Sequence, residues 1–257
     1  MFCIAASGPV TAVNLRIVLI LAAVILVALT FRLDRDTANN LFPPKALSIG
    51  APIGLALWIL AFHGMTQTSV TLFLPLLLQV VHGVSPIFIN FVSIVISLGW
   101  SIGTFSVSGW SGARERVALF CGPLIAFTGL VGLTLVALLP GLAMLTVSAF
   151  IMGIGIGVYN VHLVARAMES ATPGEQRSTA SALTSVRSLG TAFGAAIAGV
   201  VATTAGLGDA SEPTAVGHAV TAVYLFCWIP LGLNAVLMIR FLRVTLPRPS
   251  PIPATAE

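Results

Sequence analysis

The sequence predicts an all-α fold, a polytopic membrane bundle of about seven transmembrane helices, and three observations carry that prediction. Hydrophobic residues fill 57% of the 257 positions and charged residues only 8%, whereas a soluble domain carries about 25% charge. So few charges cannot cover a water-exposed surface. Seven apolar stretches, each long enough for the roughly 20 residues that cross a bilayer as a helix, are separated by short polar or proline-containing connections. The basic residues are also sorted. Ten of the twelve lie in alternate connections, at 32–47, 109–116, 166–177 and from 240 onward, while 82–86, 140–141 and 207–213 hold none. The positive-inside rule then puts the C-terminus in the cytoplasm and the N-terminus outside.

The first stretch, 15–31, starts with Arg16 and is followed by Arg32 and Arg35 rather than by an A-x-A-like cleavage site. That favours a spanning helix over a signal peptide. Residues 32–47 form a polar loop broken by Pro43-Pro44. The second stretch, 48–81, would be roughly 50 Å long as a straight helix, more than a 30 Å hydrocarbon core needs. Pro75 is expected to kink it. His63, Gln67 and Thr71 share one of its faces. A turn at 82–86 leads to a third helix, 86–108, and a loop, 109–116, that carries Arg114, Glu115 and Arg116. Helices at 117–139 and 142–168 follow, joined by a tight turn at Pro140-Gly141. In the second of these, Ala149, Gly153 and Gly157 form a small-residue face suited to close helix packing. A final helix spans 214–242. The tail, 246–257, has prolines at alternate positions and reads as an extended end.

The sixth stretch, 178–206, is the most informative. Its single charge is Arg187. Gly190, Gly194 and Ala198 fall on one face and admit a close neighbour, and the sequence offers the Ala149/Gly153/Gly157 face as that neighbour. A second stripe, containing Ser181, Thr184, Arg187, Ser188 and Thr191, is polar. Such a stripe is costly against lipid and is expected to line a water-filled cavity or meet another helix. Two readings stand for Arg187: a cavity residue that attracts an acidic group, or a side chain that snorkels or braces nearby carbonyls.

Other candidates have a functional and a structural reading side by side. Asn160 and His162 contact a ligand or bond between helices. Histidine as a residue type titrates near neutral pH, so His63 is a proton carrier, or it bonds to a neighbouring helix. Gln67, Gln79, Asn90 and Asn234 pose the same choice. The glycines of GIGIGV at 153–158 lack the G-x-G-x-x-G spacing and follow no strand, so they read as packing residues. Cys3, Cys121 and Cys227 are widely spaced in apolar sequence and read as small hydrophobes. No metal site, cofactor site or nucleophilic triad is indicated. The net charge of +4 forms no patch, so nucleic acid is not an expected partner.

With these residues in view, the chain resembles the major facilitator superfamily, and within it the fourteen-helix drug:proton antiporters of bacteria. GIGIGV, ATPGEQRSTASAL, RSLGTAFGAAIAG and LPLLLQVVHGVSP carry the resemblance, which covers about 44–242. It implies a C-terminal half: a leading helix and cytoplasmic loop at 1–46, a six-helix transporter bundle at 47–245 and a mobile tail at 246–257. It further implies a bacterial inner-membrane protein, not an enzyme, that exports small lipophilic drug-like compounds by proton coupling. The N-terminal half and its intramembrane charges have no counterpart here. The expected partners are therefore the bilayer, a lipophilic substrate, and either a separate N-terminal half or a second copy. A non-transporting partner subunit or a decayed fragment is the alternative. A retinal-type receptor is excluded, because the only lysine, Lys45, lies in a loop.

Overall fold

The structure, a computed structural model, describes residues 13–34, 42–208 and 212–245. Seven helices within them are long and apolar enough to cross a membrane. They are α1 (Val13–Asp34), α2 (Pro52–Leu76, continuing as a π-helical segment Leu77–Val81), α3 (Pro86–Val107), α4 (Ala113–Val136), α5 (Leu142–Glu169), α6 (Gln176–Thr204) and α7 (Pro213–Thr245). The fold is the expected all-α membrane bundle. Cys3, Arg35 and the 246–257 tail lie outside the described residues.

Local sequence explains where the helices begin. α2, α3 and α7 each begin with a proline, whose missing N–H is unneeded at a first turn. Gly112 (φ 59°) and Gly141 (φ 130°) precede α4 and α5 in backbone conformations that a side chain would disfavour. α4 starts four residues earlier than its apolar run, so Arg114, Glu115 and Arg116 sit in its first turn and not in a loop. α2 starts at Pro52, after turns at 48–51. The expected break near Pro75 takes the form of the π-helical turn that follows it, where the His82 N–H reaches back to the Leu77 carbonyl.

Small residues decide which helices pair. A Cβ added at Gly190 would lie 2.1 Å from the Ala61 carbonyl oxygen, and one at Gly194 would lie 2.5 Å from that of Met65. α6 therefore rests on α2, and the two run parallel. The expectation that this face meets Ala149/Gly153/Gly157 is corrected. Gly153 and Gly157 lie against the carbonyls of Ile96 and Trp100, making α5 and α3 a second parallel pair. The reason is that α2 and α3 also expose backbone at small positions, Gly64, Gly99 and Gly103. Periodicity within one helix does not reveal such partners. α5 also packs antiparallel on α4, where Gly155 meets Ala126 and Gly129 meets Met152.

The contacts show an internal symmetry between α2–α4 and α5–α7. The first helix of each triplet packs on the second and third of the other: α2 on α6 and α7, α5 on α3 and α4. The third helices, α4 and α7, meet each other, and α1 lies outside against α6. Two interlocked triplets of this kind are the arrangement of inverted-repeat transporters.

The bundle's exposed surface is uneven. α1, α3, α4 and α7 present large apolar side chains outward, among them Phe91 and Phe105 on α3, Leu135 on α4 and Val236 on α7. These suit contact with acyl chains. α6 exposes no large hydrophobic residue anywhere along Gln176–Thr204. Its exposed positions include Ser181, Thr184, Ser188 and Thr191.

Candidate functional site

Five helices contribute to one polar cluster inside this apolar bundle. His63 of α2 is buried, and its Nδ1 is hydrogen-bonded to the Tyr159 hydroxyl of α5 at 2.7 Å. Asn234 of α7, wholly buried, donates through Nδ2 to the same hydroxyl at 3.3 Å and to the Ile59 carbonyl at 3.4 Å. Because Asn234 donates to the phenol oxygen, the phenol hydrogen is satisfied by pointing at His63 Nδ1. That places the imidazole proton on Nε2. Nε2 has no hydrogen-bond partner, and neither does Asn234 Oδ1.

Trp100 of α3 links His63 to Arg187. Its ring meets the imidazole edge-on at 5.6 Å between centroids, and the Arg187 guanidinium carbon lies 5.0 Å over the same ring. Arg187 Nη2 donates to Gln67 Oε1 at 3.4 Å, a long contact. α6 and α2 are in register with Gly190 at Ala61 and Gly194 at Met65.

The other sequence candidates are dispersed. Thr184 and Thr191 are exposed on the α6 stripe beside Arg187. Asn160 is half-buried next to Tyr159 in sequence, and its Oδ1 is buried without a partner. His162 is buried and donates through Nε2 to the Val107 carbonyl at the end of α3 at 3.0 Å, a bond between helices. Gln79 is exposed on the π-helical segment, about 18 Å along α2 from Gln67. Of the packing residues, Gly190, Gly194 and Ala198 are buried in α6, and Ala149, Gly153 and Gly157 in α5. Sequence reasoning passed over Trp100 and Tyr159. The available signal for Tyr159 was a hydroxyl in an apolar stretch, which requires a partner when buried. A further interaction joins Glu115 of α4 to Arg166 of α5 as a bidentate ion pair, with Nη2 to Oε2 at 2.8 Å.

Residues 4–195 match the model of the Major Facilitator Superfamily. The chain belongs to the major facilitator superfamily. It is 30% identical over 197 residues to a probable multidrug-efflux transporter of Mycobacterium tuberculosis, in the CDC 1551 and H37Rv strains alike. The matched region is 74% of this chain and 41% of each relative, so the alignment spans about two fifths of the curated relatives' length. Membership makes this facilitator a multi-pass membrane protein of a transporter family. Chemically, the site offers one fixed positive charge, hydroxyls along α6 and an imidazole with an unused donor. It offers no nucleophile–base pair, and among the described residues no group of three or more metal-ligating side chains.

Proposed function

We propose that this chain is a C-terminal half of a facilitator that exports small lipophilic, drug-like compounds, with proton coupling completed outside the described bundle. The observation that carries this reading is the exposed face of α6. It is lined by Ser181, Thr184, Ser188 and Thr191 beside Arg187 and has no large hydrophobic residue. Such a face is unfavourable against lipid and suits a water-filled substrate path between two bundles. The relatives' description as multidrug-efflux transporters supports the substrate class. The sorting of basic residues supports a cytoplasmic C-terminus, and the mycobacterial relatives support a bacterial inner-membrane location.

Proton coupling needs a group that gains and loses a proton within the membrane. The described carboxylates, Asp34, Glu115, Glu169, Glu175 and Glu212, lie in the first or last turn of a helix or just outside one. His63 and His162 are the internal titratable imidazoles, and both are bonded to neighbouring helices. A second bundle, from a separate half or another copy, is therefore part of the proposal.

Water access along α6 tests it. In a background with all three cysteines replaced, Thr184→Cys and Thr191→Cys in proteoliposomes should react with a charged maleimide added to both sides. Val236→Cys on α7 should stay unlabelled, and Ser170→Cys should label fully. If both α6 positions resist while Ser170→Cys reacts, α6 faces lipid or protein and the chain is better read as a non-transporting partner.

A further inference from the structure

We infer that Arg187 is an anion-recognition point, and that the compounds this bundle handles carry a carboxylate-like group rather than a positive charge. The inference rests on the transporter reading above and extends it to the chemistry of the substrate. An internal charge is costly in a membrane and is normally paired. Arg187 is the twelfth residue of α6, about 17 Å from its start, and no carboxylate lies within ion-pair distance of it among the described residues. The ion pair found there is Glu115–Arg166, and it is already bidentate. The groups that face the guanidinium are the Trp100 ring and the Gln67 amide oxygen. Both orient a cation without neutralising it. Its planar fork therefore retains donors for a two-oxygen acceptor.

A second observation points the same way. His63, edge-on to the same Trp100 ring and beside Gln67, is 1% exposed, and its buried Nε2 makes no hydrogen bond that meets normal geometry. The Tyr159–Asn234 pair makes that nitrogen a donor. A guanidinium and an imidazole N–H around one indole suit an anion attached to an apolar body. The hydroxyls of Thr184 and Thr191 lie on the same exposed stripe of α6. A lipophilic cation finds no complementary charge here.

The carboxylate can come from a substrate or from an acidic side chain of a second bundle, and the test separates these sources. The probe is 4-(trifluoromethyl-diazirinyl)benzoic acid, with its benzamide as the neutral counterpart of the same shape. The chain is photolabelled in phosphatidylcholine nanodiscs after purification, and in parallel in native membranes. The acid should label α2, α3 or α6 at least about ten-fold more than the amide, the difference expected for one good charge-assisted pair. Excess benzoate should compete. Arg187→Gln should bring the acid down to the amide's level, and Arg187→Lys should keep part of the preference. Unchanged thermal melting and amide labelling of Arg187→Gln show that the variant is folded. Acid preference in both preparations assigns the anion to the substrate. Preference in nanodiscs alone assigns it to a partner's carboxylate and overturns the substrate claim. Equal labelling by acid and amide, or wild-type labelling of Arg187→Gln, overturns anion recognition altogether. If Thr184→Cys and Thr191→Cys react with maleimide in that case, the transporter reading survives without it.

Discussion

Tyr159 holds three helices together through one oxygen. It is fully buried, bonded to His63 of α2 at 2.7 Å and to Asn234 of α7 at 3.3 Å. Tyr159→Phe removes that oxygen, leaving the imidazole Nδ1 without a partner and the Asn234 amide with its 3.4 Å bond to the Ile59 carbonyl alone. Burying an unsatisfied polar group costs about 1–3 kcal/mol. The variant is expected to melt at lower temperature in detergent, and Asn234→Leu, which removes a donor but leaves the 2.7 Å bond, should cost less. A melting temperature equal to wild type for Tyr159→Phe would mean that water replaces the phenol. His63 and Gln67 were legible as one helical face from their spacing alone. Trp100 was not, because it approaches that face from a different helix and no spacing in the chain records it.

Close helix approach is the source of order at the level of elements. Gly190 and Gly199 are on the same helix and differ only in what lies beside them. A Cβ at Gly190 would sit 2.1 Å from the Ala61 carbonyl oxygen, while one at Gly199 meets nothing within 4 Å. Gly190→Ala should therefore force α6 from α2 and cost about 1–3 kcal/mol, as overpacking typically does. Gly199→Ala should be neutral or stabilise by up to about 1 kcal/mol through helix propensity. Thermal unfolding of the two variants in one detergent reads the contrast, and equal melting temperatures would argue against the close α2–α6 contact. Gly194→Leu should be more damaging still, since Met65 backbone atoms lie 2.5–2.9 Å from its Cβ position. The small-residue faces of α5 and α6 were both visible in the sequence, but the assignment of one to the other was wrong. A glycine stripe declares that a neighbour comes close without declaring which one.

For the whole molecule, alternation of charge across seven spans predicts an orientation that can be measured. Reporter fusions at Ser211 and Glu257 should report opposite sides of the membrane, with Glu257 cytoplasmic. The same side for both would overturn the seven-span topology. A second whole-molecule prediction concerns transport. Alternating access needs two bundles moving about a site between them, and the described helices form one bundle with α1 outside it. Purified chain in liposomes with a pH gradient and either a fluorescent lipophilic cation or a fluorescent lipophilic carboxylate should show no gradient-dependent dye movement above empty vesicles. Robust movement that survives replacement of His63 and His162 would show that this chain couples and transports by itself.

By itself the sequence determined that the chain is an all-α membrane bundle of seven spans, and it marked α6 as the helix with one tight and one polar face. Composition, apolar length and the period of small residues are local properties, and they suffice for that much. The tertiary structure alone decided that α2 and α5 each clasp the second and third helices of the other triplet. It also decided that Arg187 meets Gln67 and the Trp100 ring. The same is true of His63, Trp100, Tyr159 and Asn234, which meet in one cluster from four helices. Their contacts join residues from 37 to 175 positions apart in the chain. Such contacts depend on how rigid helices dock, and docking is set by the shapes of two surfaces together rather than by the pattern along either one.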